Sequence, residues 1–317
     1  MSAHTSTGTG ADADATRRPP AGPAATRRTS RGLTFTGKLL APGVALLALL
    51  SILPFLALIA MSFSHVRLLG GVRLEWAGLD NWTRVLTDPD MWSSWWRTAI
   101  FLALTLGLEM VLGLGIALAL QRIFRGRGLL LSLVLLPMFV APVIVGLLGR
   151  YMTDSTFGLY AWVLQGLGIQ SDILGSPTTA FAAVVLMDVW EWTPLITLIT
   201  LAGLSSVNPS VLEAAALDGA GYWKSLRHVV LPSMSSILLV ALLIRAMDAV
   251  RYYDIIFVTT NGGPADATKI IPIRLFENAF RFFDLGYAAA IGLMMLVVTI
   301  FIAKSFVGVL GSKELTR

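Results

Sequence analysis

Residues Glu213 to Ser233 read "EAAALDGAGYWKSLRHVVLPS" and lie between two long apolar runs, yet they are too polar and too broken by glycine to cross a membrane. Just upstream, Asn208 and Pro209 have the form of an N-cap and a first helical residue. They predict a short helix from Pro209 to about Leu217, stopping at Gly219, which can take the left-handed cap conformation. A second helix is predicted from near Tyr222 to just before Pro232. On it Trp223, Leu226 and Val230 share one face, while Lys224, Arg227 and His228 share another. The expected product is a helix, a sharp turn and a second helix. Ala214, Ala215 and Ala216 give it a small-residue face that another backbone can approach closely. A plain linker would not need Glu213, Asp218 and Gly219 in this arrangement, so the segment reads as an element that docks into a groove on a partner.

The chain around this segment is built for lipid. Its 317 residues are 56% hydrophobic and 14% charged, with a mean hydropathy of +0.75; a soluble domain carries about 25% charged residues. There is no cysteine, which excludes disulfides, thiolate metal sites and haem attachment. His4, His65 and His228 are too far apart in sequence to suggest a ligand cluster. The net charge of +5 comes from residues flanking apolar runs. That pattern sets membrane orientation and does not point to nucleic acid.

A bilayer core needs about 20 apolar residues per helix, and roughly six runs have that length. They are Leu39 to Phe63, Thr98 to Leu120, Leu129 to Gly149, Ala180 to Leu204, Ser233 to Val258 and Gly286 to Val309. The fold class expected is therefore all-α, a polytopic membrane protein with residues 37–311 as its transmembrane domain and 1–36 and 312–317 as tails. Arg17, Arg18, Arg27, Arg28, Arg31 and Lys38 precede the first run, Arg122, Arg125 and Arg127 fill the second connection, and Lys224 and Arg227 the fourth. This excess places both termini and the 205–232 segment in the cytoplasm. The first 36 residues are too poor in apolar side chains to pack and read as a disordered tail. They are not a cleaved signal, because the apolar stretch begins late and runs too long. Within "GLTFTGKL", Gly32 to Leu39, a near match to a phosphate loop fails: Leu39 replaces the magnesium-binding hydroxyl and no strand precedes it.

Two connections have their own character. His65 to Arg97 carries Trp76, Trp82, Trp92, Trp95 and Trp96, as expected of an amphipathic segment on the outer leaflet or of a surface that stacks a ligand. Arg150 to Thr179 contains "YAWVLQGLGI", too short to span and expected to form an interfacial helix.

Ionisable side chains near the bilayer centre cost about 2.5 to 3.5 kcal/mol each, so they mark a function or a buried pair. Glu109 lies mid-span in the second run, Asp188 and Glu191 in the fourth, Arg245 and Asp248 in the fifth. Asp188, Glu191 and Trp192 share one helix face, and Arg245, Asp248 and Tyr252 share another. Carboxylates and a guanidinium bind hydroxyls, while Trp190, Trp192 and Tyr252 can cover the apolar faces of a sugar ring. The candidate solute-binding set is Asp188, Glu191, Trp192, Arg245, Asp248 and Tyr252. The same residues also suit a structural network, with Arg245 paired to Glu191 or Glu109.

"EAAALDGAGYWKSLRHVVLP" resembles the E-A-A-x-x-x-G-x(9)-I-x-L-P loop of importer-type ABC transporter permeases, with Val229 where that family most often has Ile. "DAVRYYDIIFVTTNGGP", Asp248 to Pro264, resembles the end of the fifth core helix and the T-x-G-G-P turn of the carbohydrate, maltose-permease-like branch. "GLDNWTRVLTDPDMW", Gly78 to Trp92, resembles the G-L-x-N-[YW] stretch after that branch's first span. The likeness runs from Leu39 to Val309. The loop after the first span is too short for the large periplasmic insertion of some maltose-type subunits. The resemblance implies a type I importer core in a prokaryotic inner membrane, carrying a sugar or polyol from an extracytoplasmic binding protein. It implies that Glu213, Ala214, Ala215, Asp218 and Gly219 contact an ATPase dimer, and that a second, distinct permease subunit completes the path. This chain would then be no enzyme and bind no cofactor, ATP and Mg belonging to the partner ATPase. An anionic cargo such as glycerol phosphate is the alternative within the class; the mixed mid-span charges favour a neutral solute. A proton-coupled carrier relayed by the mid-span carboxylates is the alternative outside it.

Overall fold

The computed structural model describes residues 35–67, 71, 73–123, 125–168 and 172–314. Most of the tail expected over residues 1–36, and residues 315–317 of the second tail, lie outside the described residues. The described residues up to Leu53 belong to one unit and those from Pro54 onward to another. The described part of the first is the opening of helix α1, Phe35–Ser62, a continuous apolar helix. Such a helix satisfies its own backbone, as lipid requires.

In the second unit a hairpin of β1 (Ser64–Arg67) and β2 (Arg73–Trp76) leads to α2 (Asp80–Thr87) and α3 (Pro89–Gln121). Then follow α4 (Arg127–Leu135), a 3-10 turn (Leu136–Phe139), α5 (Pro142–Met152), α6 (Leu159–Gly166) and α7 (Pro177–Ser205). The quoted segment forms α8 (Pro209–Leu217), α9 (Tyr222–Ser225), a π turn (Leu226–Val230) and α10 (Leu231–Ser233). The chain finishes with α11 (Ser235–Ala249), α12 (Asp254–Thr259), α13 (Ile271–Phe276), a second π turn (Glu277–Arg281) and α14 (Leu285–Glu314).

Among the described residues four helices, α1, α3, α7 and α14, are long and apolar enough to cross a bilayer, or up to six spans exist if each of two bent pairs is one. The first pair, α4 with its 3-10 turn and α5, bends by 92°. Pro137 and Pro142 explain the bend, since neither has an N–H to continue the helical ladder. The second pair joins residues 222–233 to α11 at 66°. Here the helix expected to end before Pro232 runs on to Ser233. A proline ring clashes with the carbonyl four residues back, and the π turn at Leu226–Val230 loosens the ladder just where that carbonyl lies. The apolar run from Ser233 to Val258 is likewise interrupted between Ala249 and Asp254.

Helix α3 starts well before its apolar run because Asp88 caps it, accepting from Asp90 N at 2.9 Å, and Pro89 follows as first helical residue. Its buried positions, Met91, Ser94, Thr98, Phe101, Thr105, Glu109, Gly113, Ala117 and Leu120, fall three or four apart and form one stripe. At Gly113 a Cβ would come within 2.7 Å of Ile196 Cγ2, so the stripe lets α7 approach closely. Three apolar clusters lie along the unit: Val85, Met91, Tyr287 and Ile291 at one end, Phe101, Val184, Val189 and Ile255 in the middle, and Ala117, Leu120, Leu204 and Met234 at the other.

Candidate functional site

Helix α3 carries Glu109 on its buried stripe, α7 carries Asp188 and Glu191, and α11 carries Arg245, so three helices bring charge to one layer. The side chains of Arg245, Glu109 and Asp188 have 0% exposure. Arg245 Nε stands 3.0 Å from each carboxylate oxygen of Glu109, and its Nη2 lies 2.9 Å from Glu109 Oε1 and 2.5 Å from Asp188 Oδ2. A planar fork of donors suits two carboxylates arriving from different helices. Asp248 is more loosely held, 3.5 Å from Arg245 Nη1 and 3.5 Å from Arg251 Nη2, and 33% of its side chain is exposed. Tyr252 donates its hydroxyl to Glu191 Oε2 at 2.7 Å and stacks on Phe101. The Trp192 and Tyr252 rings flank Arg245, with centroids 5.1 and 5.7 Å from Cζ.

All six residues expected from sequence thus meet in a single layer, but the pairing is specific. Arg245 pairs with Glu109 and Asp188, whereas Glu191 is held by Tyr252. Glu109, seen in sequence only as a possible partner, is central. Its signal was the four-residue spacing from Thr105 and to Gly113 on one face. Three buried carboxylates, Glu109, Asp188 and Glu191, share the layer with one buried guanidinium, which pairs with the first two. On α7, Asp188 Oδ1, Trp192 Nε1, Thr193 Oγ1 and Thr200 Oγ1 are buried with no hydrogen-bond partner among the described residues. The layer can therefore do two things: Arg245 locks three helices together, and the open edge at Asp248 and half-buried Trp192 can meet a polar molecule.

Residues 208–233 take the expected helix, turn and helix form. Asn208 caps α8 by accepting from Ser210 N at 3.0 Å. Gly219 has φ +74°, with Ala220 N on Ala215 O at 2.9 Å and Gly219 N on Ala216 O at 3.0 Å, a Schellman cap. Glu213, Ala214, Asp218 and Gly219 are exposed and Ala215 half-buried, and beside them Leu217 and Trp223 stand 90% and 76% exposed. These two were not among the candidates.

A network at the far end of α3 was also not foreseen. Arg84 pairs with Asp284 and lies 3.9 Å over the Tyr287 ring, whose hydroxyl donates to Asp88. Arg274 Nε donates to Ser94 Oγ at 2.8 Å, and Ile271 N to Thr98 Oγ1 at 3.0 Å, tying α13 to α3. Nearby, Lys269 Nζ meets Asp266 at 2.7 Å and Glu277 at 3.0 Å. Its hydrogen bond from Lys269 holds the Asp266 carboxyl below the usual carboxylate range. Burial works against the Lys269 charge, but the bonds to Asp266 and Glu277 outweigh it and hold the ammonium above the usual lysine range.

Apolar helices, two pairs of them meeting at sharp bends, around a buried charged layer, with an exposed helix-turn-helix at one end, define a multi-span membrane protein. The chain belongs to the family described as binding-protein-dependent transport system inner membrane component, whose model matches residues 110–313. It is 38% identical over 224 residues to the trehalose/maltose transport system permease protein MalF of Thermococcus litoralis, covering 70% of this chain and 76% of that one. It is 31% identical to the trehalose transport system permease protein SugA of Mycobacterium tuberculosis, covering 90% of this chain and 91% of that one. Its fold matches a chain in the crystal structure of a bacterial ABC transporter that imports the acidic polysaccharide alginate, with a TM-score of 0.76 at 20% identity over 87% of this chain and 94% of that one.

Proposed function

We propose that this chain is the membrane subunit of an ATP-driven importer and forms, with a second and distinct permease subunit, the path of a sugar or polyol delivered by an extracytoplasmic binding protein. ATP and Mg act on a partner ATPase dimer, which receives Glu213, Ala214, Ala215, Asp218 and Gly219; both termini and this segment face the cytoplasm. The observation that carries the reading is the charged layer, buried across three helices and open at Asp248 and Trp192. Asp248 and Trp192 meet the solute at the open edge, while Glu191, Tyr252, Asp188 and Arg245 form the buried layer behind them. A surplus of carboxylate favours a neutral polyhydroxy solute over an anion. The names of the trehalose and maltose relatives support the same cargo class.

The test is to purify the native complex by a tag on this chain, identify its partners, and measure uptake of trehalose, maltose, glycerol and glycerol 3-phosphate in proteoliposomes with the co-purifying binding protein and ATP. Co-purification of an ATPase and ATP-dependent uptake of a neutral sugar or polyol is the expected result. Uptake of glycerol 3-phosphate alone would refute the cargo, and uptake driven by a proton gradient without ATP would refute the class.

A further inference from the structure

The two helices of the docking segment are held differently. Helix α8 projects exposed side chains, whereas the start of α9 rests against the end of α3. There the Arg122 guanidinium lies over the Tyr222 ring, 4.0 Å from its centroid, and Tyr222 meets Trp223 edge-on at 5.4 Å. Arg122 is the C-cap residue of α3 and Tyr222 the first residue of α9, so the contact joins a span directly to the docking segment. Beside it Leu120 and Ile123 pack in the apolar cluster with Val230 and Met234.

These contacts close a circuit. From the docking segment one arm runs through Tyr222 and Arg122 into α3 and along it to Glu109. The other runs through Met234 into α11 and along it to Arg245, where the arms meet again in the buried ion pair. A displacement of the segment reaches that pair by both routes, and also through α7, which leads into the segment and carries Asp188. If only the α11 arm were driven, the displacement would shear Arg245 from Glu109, and breaking a buried pair is strongly unfavourable. The apolar cluster alone does not keep the arms in register, because such contacts are non-directional. A guanidinium face-on to a ring does have a preferred orientation.

We infer that the Arg122–Tyr222 stack is the joint that passes movement of the docking segment into α3, keeping both arms in step as the ATPase works. Arg122 and Tyr222 are positioning residues, and the inference rests on the function proposed above. Helix α3 extends the effect outward, since its far end is tied to α13 through Ser94 and Thr98.

The test uses the full complex in nanodiscs, with the second permease subunit, the ATPase and the binding protein supplied with trehalose and maltose. Two quantities are read for Arg122→Ala, Tyr222→Leu and Tyr222→Phe: the ATPase-to-permease stoichiometry, and the ratio of ATP hydrolysis with binding protein to that without. Tyr222→Phe keeps the ring and should match wild type in both. Arg122→Ala and Tyr222→Leu should keep wild-type stoichiometry while the ratio falls about fivefold, as loss of one cation–ring contact would give. An unchanged ratio in both variants overturns the joint. So does loss of the ATPase from the Arg122→Ala complex, which would make the stack a docking contact. A wild-type complex with no ATPase, or with one that the binding protein does not stimulate, overturns the proposed function and the joint with it, before any variant is made.

Discussion

Arg245 is the side chain whose removal the bundle tolerates least, because Glu109 and Asp188 would be left facing each other with no cation between them. Removing one partner of a buried pair costs about 3 to 5 kcal/mol, whereas replacing the whole group by apolar residues of similar volume is often neutral. Arg245→Met alone should therefore cut the yield of folded complex sharply. Arg245→Met combined with Glu109→Leu and Asp188→Leu should recover most of it, as read by size-exclusion profile and melting temperature. Asp248→Asn and Trp192→Ala are expected to behave in the opposite way, with normal yield and uptake per complex about tenfold lower. Normal specific uptake by both would leave them as scaffold. Sequence identified every ionisable member of this layer as mid-span. It could not say that Arg245 takes Asp188 and not Glu191, because those two are three residues apart on one helix face. Periodicity gives the face; the partner depends on rotation and depth between helices, which only packing decides.

Among elements, α8 and its turn were legible almost to the residue, since Asn208, Pro209 and Gly219 act locally and need no tertiary context. Gly219→Val forces a β-branched residue to φ +74°, a region that costs an ordinary side chain about 1 to 2 kcal/mol. The turn should open and pull-down of the ATPase should fall, while Gly221→Val, at φ −69°, serves as control. Gly113→Leu is a different test, because the new side chain would strike Ile196 and push α3 from α7. Its expected effect is low yield without any change specific to ATPase binding. The bends were the illegible elements. Leu129 to Gly149 reads as one apolar run, yet Pro137 and Pro142 divide it, and hydropathy averaged over a window does not register a missing N–H. The tryptophan-rich stretch likewise read as one amphipathic loop. It is a hairpin, a short helix and the first turns of α3, with Asn81 Nδ2 of the short helix donating to the carbonyls of Ser62 and Ser64, 19 and 17 residues away, a link that periodicity does not make.

At the scale of the whole chain, the distribution of Lys and Arg and the direction of the helices make one joint prediction. Helix α3 carries the chain from the hairpin and α2 to the basic connection of Arg122, Arg125 and Arg127, and α7 leads to the docking segment with Lys224 and Arg227. A cytoplasmic excess of these residues sets orientation, so the connection after α3 and the segment after α7 should both be cytoplasmic. The hairpin and α2 should then face outward. The chain has no cysteine, so any single introduced thiol reports its own position without background. Arg125→Cys and Thr83→Cys are both exposed in the folded chain, and neither belongs to a proposed contact with solute or ATPase. In intact cells an impermeant maleimide should label position 83 and leave position 125 unlabelled until the membrane is opened. Labelling of position 125 from outside would invert the chain, carry α8 away from any ATP-hydrolysing partner, and with it remove the ground for reading the charged layer as part of an ATP-driven path.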